Sequence, residues 1–405
     1  ENDIVLLVRK KKADGVFITA IQFAAIGRIN LGMGKMKMQI CSEVMPQLST
    51  SSSDQNFADF HWCSNIANSL GGNNDSRHYH IFFVLTFASE LSEKKMKIHY
   101  SVDSLPPHVK TIVTVGTFDG VHLGHASILY AMHERAKECG GQTVVLSFDP
   151  HPKKVLFPDA EPLPQIQSLD EKIVCLEQCG IDHFVILPFT VEMSRLTAED
   201  YVKKILVEGL HAQFVFMGYD HRFGRNRLGD IQMMRILGEI HGFEVEEIGA
   251  FAPNEVPVSS TKIRHALQQG DILRANEMLG RPFILSGEVI HGQKLGRTIG
   301  FPTANVAVSG VDKIIPLAGV YAANTVINNT QYSAALNIGY RPTIDQSIGL
   351  HVEAFILDFD GDLYGKNITL ELHHRIREER KMNGLDALVA QIQNDVQWVR
   401  DYFSA

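Results

Sequence analysis

The sequence has no surplus of basic charge. Its 405 residues carry 38 Lys and Arg against 46 Asp and Glu, a net charge of −8. That balance argues against bulk nucleic-acid binding, so any polyanion handled should be small and met by local dipoles and a few basic residues. Cysteine is also scarce: five residues, odd in number and scattered. They make no disulfide framework, which points to a reducing compartment and a cytoplasmic protein. Cys175 and Cys179 lie one helical turn apart without a second pair at metal-site spacing, and read as core-facing helix residues. Long apolar runs are missing too. Ile81 to Ala88 is too short to span a bilayer, so no membrane partner is expected. At 45% hydrophobic and 21% charged, the composition is that of a soluble chain with room for two or three cores.

Residues 1–95 also lack any sustained period. Lys10 to Lys12 followed by Val16 to Gly27 superficially resembles a leader. Gln22 interrupts the run, no small-residue cleavage site follows, and acidic residues precede it. Ser49 to Ser53 and Gly71 to Ser76 are polar and loop-like, as a disordered stretch would be. The chain opens on Glu1 rather than methionine, so its true start is expected to be missing or processed. Met96 stands where a regular pattern begins. Residues 1–95 are therefore left unassigned, as an extension or an unnatural read-through.

What is present begins with Thr111-Ile-Val-Thr-Val115, a β-branched strand running into Gly116-Thr-Phe-Asp-Gly-Val-His-Leu-Gly-His125. Gly116, Gly120 and Gly124 supply backbone freedom beside a ligand. His122 and His125 fall at the mouth of the next helix, where unpaired N–H groups and the macrodipole favour phosphate. Two solvated loop histidines are the bland alternative; the flanking strand and glycines weigh against it.

Strand and helix then alternate. A helix over 126–139 stops at Gly140-Gly141, and Thr143 to Phe148 is a second strand. Asp149-Pro-His-Pro152 continues it, held extended by two prolines, and leaves Asp149 and His151 at a strand's carboxyl end. A helix near 170–179, a strand 183–187, a helix 198–208 and a strand 214–217 follow. The alternation predicts an α/β doubly wound parallel sheet. Gly218-Tyr-Asp-His-Arg-Phe-Gly-Arg-Asn-Arg-Leu-Gly229, with Arg222, Arg225 and Arg227, is a loop able to fold over a nucleotide or a phosphorylated ligand; a solvated basic turn fits equally well. Ser259-Ser-Thr-Lys-Ile-Arg264 opens another helix with hydroxyls that cap it or bond a polyphosphate.

Beyond Gly280-Arg-Pro282 the pattern changes to short strands: 285–290, 320–327, 332–338, 351–359 and 368–377. Asn328-Asn329 marks a hairpin and Asp360-Gly361 another turn. A small antiparallel β-barrel with a C-terminal packing helix, Leu385 to Tyr402, is expected. Domains of 96–280 and 281–405 follow. In the second, Gly292 to Asn305 is glycine-rich without being the GxxxxGK[ST] loop. Thr303 and Asn305, fixed by Pro302, are hard oxygen donors suited to magnesium, though an ordinary turn is the default for Pro-Thr-Ala-Asn. Glu353 alternates with Val352 and Ala354 and is either a base facing a site or a surface glutamate.

The pair His122-Leu-Gly-His125 and Ser259 to Arg264 resembles the signatures of the HxGH nucleotidylyltransferase superfamily. With Phe148-Asp-Pro-His-Pro152 and the Gly218 loop, the first unit resembles the adenylyltransferase module of bacterial FAD synthetases. Gly287-Glu-Val-Ile-His-Gly292, Gly296 to Asn305, Gly319-Val-Tyr321, Asn337 to Thr343 and Leu363-Tyr-Gly365 resemble the riboflavin kinase module. The resemblance covers 96–405 and none of 1–95. It implies a bifunctional enzyme phosphorylating riboflavin to FMN and adenylylating FMN to FAD.

Carried over, it makes His122, His125 and Glu353 catalytic, and assigns ATP to Gly116, Phe118, Gly120, Ser260, Thr261, Arg264, Gly296 and Gly300. Flavin falls to Asp149, His151, Pro152, Asp220 and Arg222, and magnesium to Thr303 and Asn305. Riboflavin, FMN and ATP are the implied partners of a monomer or weak homo-oligomer. His221 stands where the family commonly has an aromatic residue. Another HxGH adenylyltransferase leaves the barrel unexplained. A flavin-storage protein would lack the catalytic residues, and a class I aminoacyl-tRNA synthetase would show a lysine-rich second signature.

Overall fold

The structure is a computed structural model that describes residues 6–13, 16–23, 95–106, 110–252, 257–292, 295–342 and 348–404. The chain divides into two compact units, Glu1–Glu90 and Leu91–Ala405. In the first, β1 (Leu6–Ala13) and β2 (Val16–Phe23) pair as an antiparallel hairpin with Leu6 opposite Phe23 and Ala13 opposite Val16. Residues 16–23 of the leader-like run thus form a strand, and this part of the unassigned extension carries regular structure. The polar stretches 49–53 and 71–76 and the apolar 81–88 lie outside the described residues.

The second unit opens on β3 (Lys97–His99), β4 (Thr111–Val115), α1 (Leu123–Cys139) and β5 (Gln142–Phe148). There follow α2 (Pro152–Leu156), α3 (Leu169–Gln178), β6 (His183–Leu187), α4 (Val191–Ser194), and α5 (Ala198–Tyr201) with a π-helical continuation, Val202–Gly209. Then come β7 (Ala212–Gly218), α6 (Ile231–His241), β8 (Glu244–Ile248), α7 (Ser260–Gln268) and α8 (Ile272–Leu279). The six strands form one parallel sheet in the order β3-β6-β5-β4-β7-β8.

Both faces of this sheet are covered, because successive strand residues point to opposite sides. Val113, Val144, Leu146, Val185 and Val215 enter one core with Tyr201, Leu206 and Met234. Ile112, Val145, Phe184, Ile186 and Phe216 enter another with Leu129, Met132 and Leu176. The expected doubly wound sheet is present. The chain leaves β4 toward β5 and β6 and returns to its other side with β7, so the topological switch point lies between β4 and β7.

One local expectation needs correction. The backbone is not extended through Pro152: His151 Nδ1 accepts the Lys153 N–H at 3.2 Å and caps α2, with Pro152 at its first turn. Proline suits that position because its missing N–H would be unpaired there anyway.

The remaining strands, β9 (Phe283–Ile290), β10 (Ala304–Val308), β11 (Gly319–Ile327), β12 (Thr330–Pro342), β13 (Ile348–Ile356) and β14 (Asn367–Arg377), close into a barrel. Short helix α9 (Leu295–Thr298) precedes β10, and α10 (Leu385–Ser404) ends the chain. Asn328 and Asn329 both take positive φ, 50° and 61°, as a two-residue hairpin turn requires. Leu285, Val306, Tyr321, Leu336, Val352, Ala354 and Leu370 fill the barrel, and Ile263, Leu267, Ile272, Ala275 and Met278 of α7 and α8 join the same core. On the outer face α10 packs Val399, Val396 and Trp398 against Ala322, Ala335 and Phe355.

Candidate active sites

The first site lies at the carboxyl end of β4, beside the switch point. Val121 and Phe118 take positive φ, 35° and 46°, with Gly120 at 90° between them. Non-glycine residues in that region are strained and persist only where the surroundings hold them. Phe118 is held by burial at 1% exposure, and a Cβ on Gly116, just past the strand, would lie 3.0 Å from its ring, a tight contact that glycine avoids.

His122 caps α1: its Nδ1 accepts the His125 N–H at 3.3 Å. The two imidazoles stack with ring centroids 3.7 Å apart and 14° between planes. Phe118 tilts against His125 at 4.7 Å. Burial pushes the His122 pKa down to about 4, with the positive charge of Arg281 adding to it. His125 is driven well below the ordinary histidine range, again by burial first and then by His122 and Lys172. Both rings are therefore neutral at pH 7. With Nδ1 accepting, His122 carries its proton on Nε2, a donor. His125 Nδ1 is buried without a hydrogen-bond partner, a cost of about 1–3 kcal/mol that a ligand atom would relieve.

Asp119, fully buried, organises what surrounds the histidines. Oδ1 accepts the Ile166 and Gln167 N–H groups at 2.8 and 3.2 Å, and Oδ2 accepts Arg264 Nη2 at 2.8 Å. Its backbone carbonyl accepts the Ser260 hydroxyl at 2.8 Å. Ser259 caps α7 as expected. Ser260 and Arg264 thus spend hydrogen bonds on the turn itself, Arg264 also donating to the Pro164 carbonyl at 2.8 Å. Thr261 is exposed at the helix mouth. Lys172 Nζ donates to the Thr117 carbonyl at 2.7 Å.

His151 belongs to this neighbourhood. Burial lowers its pKa to about 4 against the opposing charge of Asp119, with Arg264 and Lys172 assisting. Asp149 is exposed and Pro152 half-buried at the same strand end. Asp220 and Arg222 sit after β7, across the switch point. Both are exposed, and Arg222 pairs with Asp230, the cap of α6, at 3.0 Å. Phe223 and Gly229 exchange backbone hydrogen bonds and close the loop.

The second site lies on the outer face of the barrel. Ala304, Val306, Val352 and Ala354 turn inward, so the intervening Asn305 and Glu353 turn outward. Asn305 and Asn337 are the direct cross-strand partners of Glu353, on either side of it. Such opposed residues share a face with Cβ atoms about 5 Å apart. The loop before β10 is built around glycines. A Cβ on Gly292 would overlap the Asn305 amide, and one on Gly296 would overlap the Phe301 carbonyl and lie 3.5 Å from Thr303 Oγ1. The Gly296 carbonyl accepts the Phe301 N–H at 2.8 Å, and Gly300 takes φ 85°. The Phe301 ring meets Phe355 edge-on at 5.4 Å, seating the loop on β13. Thr343 of the predicted motif lies outside the described residues.

No group of three His, Cys, Asp or Glu side chains that could hold a metal ion occurs among the described residues. A cation here would be held by neutral oxygens with nucleotide phosphates completing its shell, which is what magnesium accepts. Thr303 and Asn305 supply such oxygens. Sequence reasoning missed Asp119, Arg281 and Lys313, whose partners are far away in the chain, and β10 and α6, too short or too mixed to show a period.

Comparison with known proteins follows the same division. Residues 105–262 match the FAD synthetase family and residues 279–403 the riboflavin kinase family. The chain is 38% identical over 291 residues to the bifunctional riboflavin kinase/FMN adenylyltransferase of Pseudomonas fluorescens, covering 72% of this chain and 92% of that protein. Its counterparts in Escherichia coli K12 and Bacillus subtilis are 36% and 37% identical, each covering at least 73% of this chain and 93% of the relative. A solved Streptococcus pneumoniae structure, described as a macrolide-efflux protein, superposes with TM-score 0.69 at 28% identity, over 75% of this chain and 98% of that one. No helix among the described residues is long and apolar enough to cross a membrane. Two matched families in one chain, each laid over its own site, lead to one conclusion: the chain belongs to the bifunctional riboflavin kinase/FMN adenylyltransferase family.

Proposed function

We propose that the chain makes FMN from riboflavin on the outer face of the barrel and FAD from FMN at the carboxyl end of the parallel sheet, spending one ATP at each. The observation that carries this reading is the pair of neutral, stacked histidines at the mouth of α1, in a chain that also sets Glu353 between Asn305 and Asn337.

In the barrel, the terminal ribityl hydroxyl of riboflavin attacks the γ-phosphorus of ATP, Glu353 accepts its proton, and ADP leaves as the bond to the β-phosphate breaks. A magnesium ion held by Thr303 and Asn305 would neutralise charge on the phosphate oxygens. The backbone turns at Gly296 and Gly300 let the loop approach the nucleotide, and Asn305 holds its geometry against Gly292. At the sheet, the FMN phosphate attacks the α-phosphorus of ATP and pyrophosphate leaves. The Nε2–H of His122, the ring of His125 and the N-terminus of α1 stabilise the developing charge, so no covalent enzyme intermediate is needed. Gly116, Phe118 and Gly120 shape the nucleotide cradle. Ser260, Thr261 and Arg264 border it, with Arg264 holding the turn through Asp119. Asp149, His151, Pro152, Asp220 and Arg222 line the side on which the flavin phosphate enters. The protein acts as a monomer or weak homo-oligomer.

The test is a chromatographic time course with riboflavin, ATP and magnesium: FMN appears first and FAD follows. FMN alone would reject the assignment of the sheet site, and no product would reject both.

A further inference from the structure

Arg281 and Lys313 both fall in the stretch that matches riboflavin kinase, residues 279–403. Neither serves the outer face of the barrel. The Arg281 guanidinium donates to the carbonyls of Gly120 at 2.7 Å and Val121 at 3.0 Å, inside the strained turn that carries the histidines. Lys313 is buried, its side chain 1% exposed. It donates to the Ile166 carbonyl at 2.8 Å and pairs with Glu171, itself 4% exposed, at 2.5 Å.

Ile166 and its neighbour are the link to the reaction site. Their N–H groups bind Asp119 Oδ1, and the Ile166 side chain sits where a Cβ on Gly120 would lie 3.1 Å away. The backbone adds a second tie: Gln165 N–H donates to the Asp312 carbonyl at 2.6 Å, and the Gln165 carbonyl accepts the Ile314 N–H at 2.8 Å. Segment 312–314 thus forms a short parallel bridge with the 165–167 segment that holds Asp119 in place. Glu171 in turn closes a capping box with Ser168 at the start of α3.

We propose that Arg281 and Lys313 are positioning residues for adenylyl transfer, supplied by the kinase portion of the chain, which fix the Phe118–His122 turn from behind. Arg281 satisfies two carbonyls of a turn whose φ values no ordinary loop would keep. Lys313 fixes the segment that clamps Asp119, and a buried charge pair of this kind is costly to break from one side. FMN adenylylation therefore depends on residues of the kinase portion that do not touch its substrates, while riboflavin phosphorylation does not depend on these two.

This inference rests on the two-activity reading above, so the unaltered full chain is assayed beside each variant; if it makes no FAD from FMN, that reading has failed and not this one. Arg281→Ala and Lys313→Met are each measured in the full chain for both reactions. The turn sets geometry in the transition state rather than gross binding, so kcat for FMN adenylylation is expected to fall at least about tenfold with KM for FMN within about threefold. Riboflavin phosphorylation stays within about twofold. Arg281→Lys, which keeps a cationic donor at this position, restores more of kcat than Arg281→Ala. Unchanged adenylylation in both variants overturns the proposal, as does parallel loss of the two activities in Arg281→Lys, which would mean the residues only hold the fold together.

Discussion

His122 and His125 lie face to face, ring centroids 3.7 Å apart, and the first ring accepts the backbone N–H of the second. Two cationic imidazoles could not share that spacing in a buried turn. Burial, with Arg281 nearby, lowers the pKa of both rings and so favours their neutral forms.

A pH dependence of stability follows. His122 titrates at about 4 in the folded chain and near 6.5 unfolded. As pH falls from 6.5 to 4, the unfolded chain binds a proton that the native ring refuses. Stability is therefore present in full above pH 6.5 and declines below it, by up to about 3 kcal/mol from this residue. Replacing His122 with Asn keeps a capping side chain and removes the titration. Urea midpoints of His122→Asn should fall less between pH 6.5 and 4 than those of the unaltered chain. Parallel curves would mean that the ring is not held neutral.

Gly292 tests the barrel site without touching a proposed catalytic group. A Cβ there overlaps the Asn305 amide, so Gly292→Ala must displace Asn305. Riboflavin phosphorylation should drop at least roughly tenfold, ~1.4 kcal/mol of transition-state stabilisation, and half-maximal rate should need more magnesium. Adenylylation of supplied FMN should not change. An unaltered magnesium titration would remove Asn305 from the cation's shell.

The C-terminal helix is pinned by charge. Arg377 of β14 grips Asp395 through three hydrogen bonds of 2.6 to 3.1 Å, with Asp395 side chain only 6% exposed. Arg377→Ala leaves that carboxylate buried and should cost roughly 3 kcal/mol in denaturant unfolding. Arg400 and Asp358 form an equally short pair at the surface. Arg400→Ala should cost far less, because water screens an exposed pair. Equal losses would mean that burial does not set the difference.

These residues also mark where sequence reading reaches and where it stops. The β4 strand, the turn with its two histidines and the Asn328-Asn329 hairpin were legible because their information is local: β-branched runs, glycine spacing and turn residues. The outward row of Asn305 and Glu353 was half legible. Alternation set the face of Glu353, while register, which only strand pairing supplies, put Asn305 and Asn337 beside it. Arg264 read as a free phosphate ligand, yet Asp119, 145 positions away in the chain, takes one of its nitrogens. On the N-terminal side of the break at Gly280, α7 and α8 bury Leu267 and Met278 in the core they share with the barrel. Nothing local signals such a shared core, since an amphipathic helix carries no label for its partner.

The most direct test of the central claim separates the two reactions within one polypeptide. His125→Ala and Glu353→Gln are each given riboflavin with ATP and, separately, FMN with ATP, and flavins are resolved by chromatography. His125→Ala should accumulate FMN and form no FAD from either substrate, whereas Glu353→Gln should leave riboflavin unchanged and still convert FMN to FAD. FAD formation by His125→Ala, or loss of both reactions in both variants, would contradict the assignment of one reaction to each site.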